Sequence, residues 1–116
     1  MPSPRRREKL NNLLREELSK VLDREFEFPK NTFVTITRAE ISSDGHYGNI
    51  FVSLLGAEPE NAFEILQKNI GTIQHFLNRR LRIRPVPKIR FVIDKDEFQR
   101  ERIEKSLAEL KKKGDI

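Results

Sequence analysis

Asn69-Ile70-Gly71-Thr72-Ile73-Gln74-His75-Phe76-Leu77-Asn78-Arg79-Arg80-Leu81-Arg82-Ile83-Arg84-Pro85-Val86-Pro87-Lys88-Ile89 is the stretch on which the fold turns. With the residues just before it, its apolar positions fall at Phe63, Leu66, Ile70, Ile73, Leu77 and Leu81, spaced by three or four. That spacing predicts helix from near Glu60 until Pro85-Val86-Pro87 stops it. Gly71 interrupts the pattern, and a glycine inside a helix costs about 1 kcal/mol against alanine. Asn69, Ile70 and Gly71 are therefore read as a kink or helix–helix junction. Beyond the prolines, Ile89, Phe91 and Ile93 recur at every second position, which predicts a strand over residues 88–93.

Working outward, residues 32–40 are rich in β-branched side chains and alternate in polarity, the pattern of a strand. Residues 47–55 repeat it, with Ile50, Val52 and Leu54 on one face. Ser42-Ser43-Asp44-Gly45 between them makes an antiparallel hairpin, with Asp44-Gly45 at its tip. Upstream, Leu10, Leu13, Leu14, Leu18, Val21 and Leu22 predict an amphipathic helix over residues 4–24, with Pro4 in its first turn. Downstream, Phe98, Ile103, Leu107 and Leu110 predict a last helix from Asp94, whose acidic start (Asp94, Asp96, Glu97) suits a helix N-terminus. The expected fold is α+β, a single domain over residues 1–110 with a basic tail at 111–116.

Charge is segregated. Between Glu64 and Asp94 there is no acidic residue, yet Lys68, Arg79, Arg80, Arg82, Arg84, Lys88 and Arg90 all lie there. The whole chain is only +5, from 23 Lys+Arg against 18 Asp+Glu, so the remainder is net acidic. Such segregation is self-repelling unless a polyanion relieves it. On a helical wheel Lys68, Thr72, His75, Arg79 and Arg82 fall within about 40° of one line, opposite the apolar stripe. Arg80 and Arg84 flank this ridge. Arg5-Arg6-Arg7, with Lys9, forms a second basic patch whose placement opposes the helix dipole. A solvated helix face, an acidic protein partner and a nucleic acid are the readings this charge leaves open.

Catalysis finds little support. His46 and His75 sit on different elements, cysteine is absent, and no phosphate-binding glycine loop, nucleophile–histidine pair or metal-ligand spacing occurs. No catalytic residue, metal, cofactor or small-molecule substrate is expected. No apolar run reaches the ~20 residues of a membrane span, cysteine is absent and Met1 to Lys9 is charged with no apolar signal segment, so a cytoplasmic chain without a membrane partner is expected; a monomer is expected as well. Of the aromatic residues, Phe33, Phe51, Phe63, Phe91 and Phe98 fit core positions. Tyr47 is the one ring expected to be exposed on the hairpin. That favours phosphate and shape recognition over base-by-base reading.

The combination Asn69-Ile70-Gly71 followed by Phe76 through Ile89 closely resembles the bacterial ribosome-binding factor A family, most strongly in Arg80-Leu81-Arg82-Ile83-Arg84-Pro85-Val86-Pro87. The hairpin (Val34-Thr35-Ile36-Thr37, Glu40-Ile41-Ser42, Asp44, Tyr47, Ile50-Phe51-Val52-Ser53) and Asp94 through Phe98 with Arg102-Ile103-Glu104 and Leu107 look like the same family. The resemblance implies a type II KH-like fold: helix, strand, strand, helix, kink, helix, strand and a C-terminal helix, with helices on one face of a three-stranded sheet. Ordinary KH domains clamp nucleic acid with a Gly-x-x-Gly loop. The family has Ala-x-Gly there, and this chain has Asn69 in place of the alanine. The resemblance further implies a non-enzymatic assembly factor for the free small (30S) ribosomal subunit. Such a factor aids late maturation and processing of 16S rRNA near its 5′ end, with a link to growth in the cold. Lys68, Gly71, His75, Arg79, Arg80, Arg82 and Arg84, with Arg5, Arg6 and Arg7, are the expected RNA-facing residues. A protein–protein adaptor and a generic single-strand KH reader are the rivals.

Overall fold

A computed structural model of the chain describes residues 4–94. Helix α1 (Pro4–Glu25) buries Leu14, Leu18, Val21 and Leu22, the stripe its periodicity demands. It lies across strand β1 (Thr32–Ile41) and beside helix α3 (Ile70–Arg80). Strand β2 (Tyr47–Gly56) pairs antiparallel with β1 and parallel with β3 (Lys88–Ile93), giving the sheet order β1-β2-β3. Helix α2 (Pro59–Lys68) and α3 carry the chain from β2 across to β3. All three helices pack against one face, where Leu14, Leu18, Ile50, Val52, Leu66, Ile73 and Leu77 are almost fully buried. Truncating any of these large core side chains to alanine should cost about 2–5 kcal/mol. The expected last helix from Asp94 to Leu110, the residue-110 domain boundary and the tail at 111–116 lie outside the described residues.

The hairpin closes at Asp44-Gly45 as its sequence requires. Gly45 sits at φ 79°, a backbone conformation open to glycine. The Asp44 carboxylate accepts the Ser42 hydroxyl at 2.6 Å and the His46 N–H at 3.0 Å, which lowers its pKa below the ordinary value of 3.8, the Ser42 bond contributing most. At the other end of the hairpin Gly56 has φ 108°, and a Cβ there would lie 1.9 Å from the Asn31 carbonyl oxygen.

The alternation of β1 changes phase partway along. Val34 and Ile36 face the helices, then a bulge at Thr37 sets Ala39 and Ile41 inward instead. The Thr37 hydroxyl donates to Asp94 Oδ2 at 2.7 Å and lies 3.2 Å from the Phe51 carbonyl oxygen. This register overturns the core assignment of Phe33. It pairs with Leu55 on the uncovered face and is 63% exposed, so Tyr47 is not the hairpin's single exposed ring. Phe51 is only half-buried on that same face, where the Arg38 guanidinium sits 4.0 Å from its ring centroid.

The junction between α2 and α3 falls on Asn69, not on Gly71. Asn69 sits at φ −104°, ψ 13°, off the helical values. Its side-chain amide donates to the Ile65 carbonyl at 2.7 Å, capping the end of α2, and no side-chain bond caps the start of α3. A short polar side chain that bonds to nearby backbone competes with the helix, and here it ends one. Gly71 lies in the first turn of α3, where an added Cβ would meet nothing within 4 Å. The helix also stops sooner than the wheel assumed. Leu81 turns extended at φ −85°, ψ 135°, because the coming prolines cannot be accommodated in a helix. Arg82 and Arg84 therefore sit in the loop at 81–87, not on the helical ridge.

Candidate nucleic-acid interface

The ridge expected from the wheel survives on α2 and α3. Lys68 ends α2, and Thr72, His75 and Arg79 follow on α3, all exposed, while Leu66, Ile73 and Leu77 of the same helices are buried. Arg82 is exposed in the loop beyond. Among the described residues, Lys68, Arg79 and Arg82 make no hydrogen bond or ion pair with their charged groups. Their cations face solvent with no carboxylate between Glu64 and Asp94 in the chain to offset them.

Other expected contacts are already engaged within the fold. Arg80 Nε donates to Glu17 Oε2 at 2.9 Å, tying α3 to α1. That hydrogen bond, with further help from Lys20, holds the Glu17 carboxyl below its ordinary value of 4.5. Arg84 turns its guanidinium back onto the Leu81 and Ile83 carbonyls, each at 2.8 Å. Arg7 donates to the Ile41 carbonyl at 3.2 Å, next to the bond from Ile41 N–H to Asn11 Oδ1 at 2.9 Å. These bonds fasten the start of α1 to the hairpin, and Arg6 too has an intramolecular partner. Arg5 is exposed. The patch at Arg5, Arg6 and Arg7 is thus at the opposite end of α1 from Arg24, about 25 Å away along a helix rising 1.5 Å per residue. The fold does not merge the two basic regions.

Arg24 is a residue the sequence did not single out. The last turn of α1 brings it beside Arg79 and Arg80 around a hollow of about 170 Å³ that Val21, Glu25 and Phe76 also line. Phe26 meets Phe76 edge-on with ring centroids 6.3 Å apart, fixing the floor next to it. In the chain Arg24 is flanked by Asp23 and Glu25, which cancel its charge in any local count. Arrangements of this kind suit phosphate oxygens, which guanidinium groups bind through paired N–H donors. No helix among the described residues is long and apolar enough to cross a membrane.

The family model described as ribosome-binding factor A matches residues 6–107. Curated ribosome-binding factor A proteins from Thermomicrobium roseum and Dictyoglomus thermophilum are 33% and 38% identical, covering 95% and 90% of this chain and 86% and 90% of their own. The fold is also similar to that of Thermus thermophilus ribosome-binding factor A as fitted into a cryo-EM map of a complex with 30S. The TM-score is 0.64 at 24% identity, over 74% of this chain and 92% of that one. The chain belongs to the ribosome-binding factor A family.

Proposed function

We propose that this member of the ribosome-binding factor A family binds the free small ribosomal subunit in the cytoplasm and assists late maturation and processing of 16S rRNA near its 5′ end, without a covalent step of its own. The family match across residues 6–107 carries the function. The Thermus thermophilus relative, described in complex with 30S, supports the partner.

The interface assignment rests on charge. Lys68, Arg79 and Arg82 present unpaired cations, Arg24 and Arg80 border the hollow beside them, and His75 and Thr72 fill the ridge between. Gly71 leaves backbone on this face uncovered by any side chain, which suits close approach of a phosphate at the start of α3. Arg80 and Arg84 act mainly by holding the loop and α3 in place.

The test must spare Arg80, since Arg80→Glu would set a second carboxylate against Glu17. The triple variant Lys68→Glu/Arg79→Glu/Arg82→Glu is therefore compared with wild type for co-sedimentation with purified free small subunits. Association should be lost while the melting curve stays cooperative. Undiminished association in the folded variant would remove the ridge from the interface. Binding that persists after nuclease digestion of the subunit would point to a protein partner instead.

A further inference from the structure

The face of the sheet that the helices leave uncovered carries an arrangement that neither the core nor the ridge uses. Alternation along β2 sends Tyr47, Asn49 and Phe51 to this face, and along β3 it sends Lys88, Arg90 and Val92. Tyr47 lies directly across from Lys88, and Asn49 across from Arg90. The Tyr47 ring is 59% exposed. The Arg90 guanidinium is steered by Nε and Nη2 bonds to Asn49 Oδ1 at 3.1 and 2.9 Å, so its position is set before any ligand arrives. Together with Ile89 these residues line a hollow of about 560 Å³, within the size range of small-ligand sites. Glu40 of this face is ion-paired to Arg38 at 3.7 Å, and among the described residues neither Lys88 nor Arg90 forms an ion pair.

We infer that this hollow is a second RNA contact, in which one unpaired base stacks on the Tyr47 ring and its flanking phosphate lies against Lys88 and Arg90. The inference rests on the reading that the chain binds rRNA and adds base stacking to the phosphate contacts of the ridge. An exposed aromatic ring beside two cations matches what single-stranded RNA offers, a π-face next to a negative charge. A protein partner acidic enough to pair Lys88 and Arg90 gains little from an open ring between them. The hollow is also within reach of the ridge. Gln74 of α3 donates to the Pro87 carbonyl at 3.0 Å and accepts from Ile89 N–H at 2.9 Å, so α3 lies directly along the β3 edge. One RNA strand leaving the ridge can cross that edge to Tyr47.

Tyr47 is the chain's one tyrosine, and there is no tryptophan, so photochemistry at tyrosine reads this site alone. The full chain is irradiated with a short single-stranded oligonucleotide carrying 5-bromouridine, and the adducts are mapped. A crosslink at Tyr47 is expected. Tyr47→Ala should weaken oligonucleotide binding about tenfold, and Tyr47→Phe should hold it within about twofold, because stacking needs the ring and not the hydroxyl. Crosslinks confined to α2 and α3, with Tyr47→Ala binding as tightly as wild type, would overturn the inference and leave the ridge standing. Loss of affinity for whole subunits but not for the oligonucleotide would also overturn it, assigning the face to a ribosomal protein. Failure of the wild-type chain to bind either probe would overturn the rRNA reading itself.

Discussion

At the residue scale, cations that look alike in the sequence divide by what they touch. Arg79 and Arg80 are neighbours, yet one points to solvent and the other is bonded to a carboxylate 63 residues away. No local pattern carries that information, since the partner is set by how α1 and α3 cross. The Glu17–Arg80 pair makes a prediction with a defined pH sense. Glu17 has its pKa lowered in the folded state by the Arg80 bond, so its contribution to stability is present above the ordinary value of 4.5 and is lost as pH falls through the depressed one. Urea denaturation of Glu17→Gln at pH 7 should show a loss of about 0.5 kcal/mol, as befits a partly exposed pair. The gap from wild type should close as pH is lowered below the carboxylate range. A gap that stayed constant with pH would mean that packing, not charge, is what the substitution removes.

At the element scale, the order of helices and strands through β3 was legible because each element has a clear period and a clear stop. The prolines at 85 and 87 and the Asp44-Gly45 tip fix where the chain must turn. Two features escaped that logic. In β1 both alternating sets contain apolar residues, so period two cannot tell whether Phe33 or Val34 faces inward. The pairing with Leu55 and the bulge at Thr37 decide it. At the α2–α3 junction the apolar spacing runs straight through, and the break is made by a side-chain hydrogen bond of Asn69 that spacing cannot show. Two glycines then make opposite predictions. Gly56→Ala forces a Cβ to 1.9 Å from Asn31 O at φ 108°, and thermal or urea unfolding should show a loss of at least about 2 kcal/mol. Gly71→Ala puts a methyl into open space on a helix and should raise stability by up to about 1 kcal/mol. If the bare backbone at Gly71 admits a phosphate, the same substitution weakens subunit binding while it stabilises the fold. A variant both more stable and equally tight in binding would free Gly71 from any part in recognition.

At the scale of the whole molecule, the acid-free window from 65 to 93 could be counted in the sequence, but its distribution in space could not. The fold spends Arg80 and Arg84 on internal bonds, sends Lys88 and Arg90 to the opposite face of the sheet, leaves Lys68, Arg79 and Arg82 outward, and brings in Arg24 from a helix whose local charge is balanced. The effective number of phosphate contacts on the ridge is therefore smaller than the seven basic residues of the window suggest. This is measurable through counterion release, since each phosphate neutralised contributes about 0.7 to 0.9 to the slope of log affinity against log salt, the lower figure for single strands. Replacing Lys68, Arg79 and Arg82 together by alanine should flatten that slope for small-subunit binding by about 2 to 3. Arg84→Ala should leave the slope close to that of wild type, because its guanidinium is occupied by the Leu81 and Ile83 carbonyls. Equal flattening by both would show that the loop at 81–87 rearranges on the subunit and releases Arg84 to the RNA, so that charge is partitioned by binding rather than by the fold.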